Sequence, residues 1–171
     1  MNCEFKPLGA DHRQAVIDIL NFYIEDGFAA FPREKVSYEF FDILLKMTAG
    51  YPAIIVTDKD RADEVVGFAL MRPYHLMKTF QRTAQAGYFL RPEYTRRGIG
   101  RKIMEFFTAE AGKMGVDSLL ADISSLNEAS IKFHRKMGFE LCGRFRRVGR
   151  KHDRDFDVVW MQKMLRERGN P

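Results

Sequence analysis

A basic turn with two glycines, residues 90–101, carries the residues best suited to hold an anion. It reads LRPEYTRRGIGR and lies between an apolar run and a helical one. The first N–H groups of a helix lack partners within the helix, and the helix dipole favours negative charge there. Glycine lets a phosphate approach the backbone, and arginine adds charge-assisted hydrogen bonds. The residues predicted to bind such an anion are Arg96, Arg97, Gly98, Ile99, Gly100 and Arg101.

Two familiar phosphate-binding loops do not fit this turn. The pattern G-x4-G-K-(S/T) is absent, and residues 98–103 read GIGRKI, without the third glycine of a dinucleotide fingerprint. On the turn alone, an ordinary strand-to-helix junction without a ligand stays open as the alternative.

A second informative stretch, residues 127–139, reads NEASIKFHRKMGF. It predicts a short amphipathic helix that Asn127 caps, with Ile131, Phe133 and Met137 facing the core and Gly138 ending it. Capping does not prevent Asn127 from also contacting a ligand.

Positive charge is concentrated in the second half of the chain. Residues 1–90 carry 10 Lys and Arg against 12 Asp and Glu, whereas residues 91–171 carry 18 against 11. The second half is therefore expected to meet an anion, with a solvated basic face as the alternative that charge alone leaves open. Residues 144–154 hold one phenylalanine among arginines, and no helix-turn-helix or RNP-like pattern occurs. We therefore expect no nucleic-acid partner.

The elements that position these stretches follow from hydrophobic periodicity and chain breakers. The order β-α-α-β-β-β-α-β-α-β-β indicates an α/β protein around a mixed, largely antiparallel central sheet with one parallel pair, flanked by helices. No repeat or linker interrupts the chain, so we expect a single domain over residues 1–171. Strands are predicted at residues 3–8, 53–57, 65–72, 83–90, 116–123, 139–147 and 156–164, and helices after Asp11 and over 34–48, 99–113 and 127–136.

Composition excludes several classes of protein. The 171 residues are 46% hydrophobic and 30% charged, which is typical of a globular rather than a disordered chain. No run approaches the roughly 18 apolar residues of a spanning helix, and no secretory signal is visible, so we expect no membrane partner. Cys3 and Cys142 form no CxxC or paired Cys/His spacing. We expect a cytoplasmic protein with reduced thiols and no metal.

Together the two stretches resemble the GCN5-related N-acetyltransferase (GNAT) superfamily. Residues 95–100 are similar to its pyrophosphate motif (Q/R)-x-x-G-x-(G/A), with Thr95 at the first position. Residues 127–139 are similar to its motif N-x-x-(A/S)-x-x-(L/F)-(Y/H)-x-K-x-G-F, and the order of elements matches over nearly the whole chain.

The tail narrows the resemblance to the phosphinothricin N-acetyltransferase branch. Phe133-His134 stands where that branch has a leucine-histidine pair, and residues 148–162 contain its V-G-x-K…D-V-x-x-M-Q pattern. The resemblance implies transfer of an acetyl group from acetyl-CoA, as co-substrate, to the primary amine of a small amino acid or analogue. Phosphinothricin and methionine sulfone are such analogues. It also implies a homodimer.

Other functions stay open beside this one. The acceptor could be another amine, such as a polyamine or a peptide N-terminus. The chain could also be an acetyl-CoA-binding module with altered catalysis. Both alternatives rest on Gln85, as described below.

The resemblance assigns roles to residues near the cofactor. The acetyl-pantetheine arm would lie along residues 88–90, that is Tyr88, Phe89 and Leu90, with the Leu90 N–H as the oxyanion donor. Asn127 would contact the pantetheine arm or a water beside it, and Lys136 would meet the cofactor more loosely.

The resemblance does not identify the general base. The branch has a glutamate seven residues before its proline, and that position is Gln85 here. Glutamine cannot accept the proton of an ammonium group. Three interpretations stay open: a water chain that Gln85 positions, another base among His134, His75 and Glu93, or an acceptor amine of lower pKa.

The general acid and the substrate contacts are predicted as follows. His134 occupies the position of the superfamily's tyrosine and is the candidate acid, with Tyr88 and Tyr94 in reserve. The predicted substrate contacts are Phe31, Arg72, His75, Leu76, Met77 and Gln85.

Overall fold

The computed structural model describes residues 2–166, in which one seven-stranded sheet runs in the order β1-β2-β3-β4-β5-β7-β6. The order of strands and α-helices along the chain is the one predicted. The elements are β1 Cys3–Pro7, α1 Arg13–Glu25, α2 Phe40–Met47, β2 Ala53–Asp58, β3 Glu64–Pro73, β4 Thr83–Leu90, α3 Ile99–Lys113, β5 Ser118–Ser124, α4 Glu128–Lys136, β6 Glu140–Lys151 and β7 Arg154–Met164.

The predicted parallel pair is confirmed, and it is short. β4 and β5 pair through Thr83–Gln85 and Ser118–Leu120, whereas the other neighbouring strands pair antiparallel. Beyond Gln85, β4 continues to Leu90 without pairing to β5. The two strands therefore separate and leave a V-shaped gap, which we call the β4–β5 gap.

Helices cover both faces of the sheet. One face packs against α3, whose residues Ile99, Ile103, Met104, Phe107 and Ala111 are buried at helical spacing. The other face packs against α1 and α2. Full burial of each large apolar side chain contributes about 1.5–3 kcal/mol to the stability of the fold. The packing of the two cores therefore holds α1 and α3 in place against β4.

The second helix is shorter than predicted. The expected range was 34–48, but α2 begins at Phe40. The side chain of Asn21 explains the late start because it forms hydrogen bonds with both the backbone N–H and the backbone C=O of Val36. Its Oδ1 accepts from Val36 N at 2.9 Å and its Nδ2 donates to Val36 O at 3.0 Å. Those bonds occupy the backbone groups that a longer helix would need.

The fourth helix is capped as predicted. Asn127 Oδ1 accepts from Ser130 N at 3.2 Å, and Gly138 follows the helix with φ +84°. Within residues 2–166, no helix is both long and apolar enough to span a bilayer. The same residues contain no group of three His, Cys, Asp or Glu side chains placed to hold a metal ion.

Candidate active site

The open edge of β4 lines the β4–β5 gap with backbone polar groups. In an antiparallel pair, alternate residues bond to the neighbouring strand and the others direct N–H and C=O away from it. Arg91 N donates to Val66 O at 2.8 Å, so odd-numbered residues of this stretch bond to β3. Ala86, Tyr88 and Leu90 consequently point their backbone groups into the gap.

Leu90 and Phe89 play different parts at this edge. The Leu90 carbonyl accepts a hydrogen bond from the Tyr23 hydroxyl at 2.5 Å, which ties the end of β4 to α1. The Leu90 N–H faces the gap, as an oxyanion donor requires. Phe89 instead bonds to β3 and packs its ring against Tyr23 and Phe68.

The N-terminus of α3 forms the basic end of the gap. Gly98 has φ +82°, a conformation that favours glycine, and no other group lies within 4 Å of its missing Cβ. Lys102 N donates to Gly98 O, so the N–H groups of Ile99, Gly100 and Arg101 come before the first N–H that has an acceptor within the helix. These three donors point out of the helix end, as an anion site needs.

Three arginines surround this helix end, and all are exposed. Arg96 has φ +57°. The Arg97 guanidinium lies 5.9 Å from the centre of the Tyr94 ring. Arg101 pairs with Glu105 at 2.8 Å, and that hydrogen bond raises the pKa of Arg101.

Tyr88 lies between α3 and α4. A Cβ added to Gly100 would lie 2.6 Å from the Tyr88 hydroxyl, and the Tyr88 ring meets Phe133 edge-on at 5.7 Å. Burial raises the pKa of Tyr88, which keeps the phenol protonated. Lys136 is exposed in the last turn of α4.

His134 is buried in α4 rather than exposed in the gap. Its Nδ1 lies 2.9 Å from Ser130 O on its own helix, and its ring packs edge-on against Phe133 and Phe139. Burial lowers the pKa of His134 below its usual 6.5, so the imidazole is neutral at pH 7. Its role as general acid stays a prediction.

Polar side chains form a row across four adjacent strands on the face opposite α3. Arg72 is paired with Gln85, and Asp122 is paired with Trp160. The Gln85 side-chain amide donates to Asp122 Oδ1 and joins the two pairs. This polar row places a guanidinium, an amide, a carboxylate and an indole side by side.

Aromatic side chains border one end of the polar row. Phe31 stacks on Phe156 with 6.0 Å between ring centres, and Tyr74 meets Trp160 edge-on at 6.3 Å. A buried hydrogen bond anchors the loop that carries Phe31. Lys151 Nζ donates to Ala30 O at 2.9 Å.

The predicted contacts His75, Leu76 and Met77 lie on the exposed loop between β3 and β4. His75 Nδ1 accepts from Met77 N at 3.1 Å, and its ring packs near Phe80. Leu76 is 93% exposed, so this loop offers an apolar surface beside Tyr74. The structure thus pairs Arg72 with Gln85 across β3 and β4 and leaves these three residues on the exposed loop.

Comparison with known proteins identifies the architecture. Residues 16–139 match the acetyltransferase (GNAT) family. The chain belongs to the GNAT acetyltransferase family. It is similar to the L-methionine sulfoximine/L-methionine sulfone acetyltransferase of Pseudomonas paraeruginosa, with 32% identity over 68% of this chain and 66% of that protein. The match therefore spans slightly less than two thirds of that relative's length.

Two further similarities extend over more of this GNAT chain. The phosphinothricin N-acetyltransferase of Streptomyces viridochromogenes is 26% identical over 94% of this chain and 86% of its own. The crystal structure of a GNAT superfamily phosphinothricin acetyltransferase from Sinorhizobium meliloti, in complex with AcCoA, superposes with a TM-score of 0.88. That structure is 24% identical and covers 96% of this chain and 89% of its own, so it supports the fold.

Two residues of the polar row, Asp122 and Trp160, were not among the predicted site residues. For Asp122 the sequence predicts only a place in a strand, yet its carboxylate accepts a hydrogen bond from Gln85, which stands where the resemblance implies a base. A signal was available, because Asp122 interrupts the apolar run Leu119, Leu120, Ala121 and Ile123 of a largely buried strand. Charged residues within such strands are rare unless they are paired.

Proposed function

We propose that the protein is an acetyl-CoA-dependent N-acetyltransferase that acetylates the primary amine of a small amino acid or amino-acid analogue. The single observation that carries the proposal is the β4–β5 gap, which runs from the N-terminus of α3 to the polar row. Family membership and the names of the similar proteins support the same reaction.

The residues present fit acetyl-CoA. The N–H groups of Ile99, Gly100 and Arg101, together with the nearby arginines, suit a pyrophosphate. The backbone groups of Tyr88 and Leu90 suit the amides of a pantetheine arm, as an added strand would. Acetyl-CoA supplies the acetyl thioester when it is bound. The Tyr88 N–H, a gap-facing donor nearer the polar row, would polarise the acetyl carbonyl in place of the expected Leu90 N–H, and an aligned donor of this kind is worth roughly 3 kcal/mol.

The acceptor would lie over the polar row. The Arg72 guanidinium can bind the carboxylate of an amino acid, since arginine donates to both oxygens of that group. Phe31, Tyr74 and Trp160 would pack against its side chain. A small acceptor with a carboxylate and a compact side chain suits this combination better than a polyamine does, because a polyamine carries no anion for Arg72.

We also propose that the protein forms a homodimer through β6. This strand is at the edge of the sheet and exposes three apolar side chains, Leu141, Phe145 and Val148, each by more than half. Unpaired edge strands with apolar side chains are natural association surfaces. Sedimentation velocity would distinguish a 19.9 kDa monomer from a dimer of twice that mass. We place the protein in the cytoplasm, in keeping with its two free cysteines and its proposed co-substrate.

The test is release of free thiol from acetyl-CoA with a panel of amines. The panel contains L-methionine sulfone, phosphinothricin, the common amino acids, spermidine and a peptide with a free N-terminus. We expect turnover with the sulfone, with phosphinothricin or with an amino acid. Turnover with spermidine or the peptide alone would contradict the proposed acceptor class. Binding of acetyl-CoA with no turnover at all would favour a binding module instead.

A further inference from the structure

The bond between Gln85 and Asp122 lies at the vertex of the β4–β5 gap. Gln85 is the last β4 residue paired with β5, and Asp122 follows the last paired β5 residue, Leu120, by two positions. Their side chains share a face because Gln85 and Leu120 are in register and strand side chains alternate. The Gln85 amide donates to Asp122 Oδ1, so the carboxylate is held where the strands begin to separate.

Gln85 and Asp122 together can do what a single glutamate at position 85 would do. Glutamine can donate a hydrogen bond from its nitrogen, but it cannot take up a proton at neutral pH. An aspartate can take one up. Because Gln85 uses its nitrogen toward Asp122, its own side-chain oxygen stays an acceptor on the same face. The neighbouring Arg72 supplies the only guanidinium of the polar row.

We propose that Asp122 is the general base of the acetyl transfer and that Gln85 is the positioning residue that orients its carboxylate. This assignment rests on the proposed function. An ammonium acceptor R–NH3+ gives one proton to the Asp122 carboxylate, directly or through one water. The nitrogen lone pair then forms a bond to the thioester carbon, and the carbon–sulfur bond breaks. A second proton leaves the nitrogen for the departing thiolate, and Asp122 returns the first proton to solvent.

The other candidate bases are placed less well. His134 is buried in α4 and bonded to its own helix. Glu93 is exposed in the turn after β4 ends, and His75 lies on the exposed β3–β4 loop. Asp122 lies at the vertex of the gap and is half-buried, so it can still exchange a proton with water.

The decisive variant is Asp122→Asn. It keeps an oxygen at Oδ1 for the Gln85 amide and removes only the ability to accept a proton. We expect kcat/KM for the amine to fall about 100-fold or more, since general bases contribute 10²- to 10⁴-fold. We expect the melting temperature and the calorimetric Kd for acetyl-CoA to stay unchanged. Asp63→Asn, a surface aspartate in the β2–β3 turn, is the matched control and should keep full activity.

An exchange variant separates proton transfer from structure. Gln85→Glu combined with Asp122→Asn keeps one carboxylate and one amide in contact and reverses their places. We expect this double variant to regain at least 10-fold of the activity that Asp122→Asn loses. A purely structural role for Asp122 predicts no such recovery.

Each outcome bears on a stated claim. A folded Asp122→Asn variant with activity near wild type overturns the base assignment and leaves the proposed function intact. Loss of stability or of acetyl-CoA binding in that variant, or an exchange variant without recovery, overturns the assignment as well. A wild-type protein that binds acetyl-CoA but acetylates no amine of the panel overturns the proposed function and this assignment with it.

Discussion

The Tyr88 hydroxyl lies so close to the α-carbon of Gly100 that a Cβ there would be 2.6 Å from the oxygen and 3.0 Å from the ring carbon that bears it. Glycine at this position therefore lets β4 and the first turn of α3 approach each other. That approach brings the edge of β4 proposed to bind pantetheine and the end of α3 proposed to bind pyrophosphate into one continuous surface.

Gly100→Ala is expected to push Tyr88 and α3 apart. Overpacking of this kind typically costs about 1–3 kcal/mol, so the melting temperature should fall and acetyl-CoA should bind more weakly. Adding Tyr88→Phe removes the nearest atom and should restore part of both losses. Calorimetry and thermal melting of the single and double variants measure this. Additive losses in the double variant would contradict the steric explanation.

Gly98→Asp and Gly98→Asn form a matched pair at the proposed anion site. Either residue would have to adopt a backbone φ near +82°, which asparagine and aspartate tolerate better than other non-glycine residues, so the backbone strain of the two variants is similar. Aspartate alone adds a negative charge beside the expected pyrophosphate. We expect acetyl-CoA to bind Gly98→Asp at least 10-fold more weakly than Gly98→Asn, with similar melting temperatures. Equal Kd values would argue against a phosphate at this helix end.

Asn127 caps α4 and is proposed to contact the cofactor, and two substitutions separate these roles. Its side-chain oxygen caps α4 through Ser130 N, whereas its amide nitrogen can donate to the cofactor. Asn127→Asp keeps the cap but not the donor, so stability should hold and acetyl-CoA affinity should fall. Asn127→Ala loses both, with a cap cost of about 1 kcal/mol. If Asn127→Asp binds acetyl-CoA as the wild type does, the proposed contact is wrong.

Lys151 is expected to control acceptor binding through the loop that carries Phe31. Its ammonium is buried against the Ala30 carbonyl, and that burial lowers the pKa of Lys151. Lys151→Met should loosen the loop and raise KM for the amine several-fold, because hydrogen bonds to charged groups contribute about 1.5–3 kcal/mol. KM for acetyl-CoA should not change. Lys113→Met, at the exposed end of α3, is the control. Equal changes in both KM values would indicate a global effect.

His134 should make the protein less stable in acid. Burial lowers the folded-state pKa of His134 below the unfolded value of 6.5, so the unfolded chain binds a proton more readily. Its contribution is complete above pH 6.5 and is lost as the pH falls below that value. His134→Asn should therefore show a smaller fall in melting temperature between pH 7 and pH 5 than the wild type. His75→Asn, which alters an exposed histidine, should keep the wild-type slope.

Much of the fold was predictable because its signals are local. The spacing of Ile99, Ile103 and Phe107 indicates α3, and the structure gives that helix the predicted bounds. The start of α2 was not predictable, because the chain before Phe40 is held by Asn21, a residue of another helix. Hydrophobic periodicity carries no information about such a bond.

The sequence by itself determined the order of the elements and the residues of the proposed cofactor side of the site. Each of these features, namely the glycines, the arginines and the cap residue Asn127, lies within one turn or one helix end. Neighbouring residues in the sequence are therefore enough to predict what they do. Only the tertiary structure brought together the residues of the proposed acceptor side. Gln85 meets Asp122 across 37 residues, and Lys151 meets Ala30 across 121. Contacts of that range depend on which strands pair and where β4 and β5 separate, and strand register is set by the packing of the whole sheet.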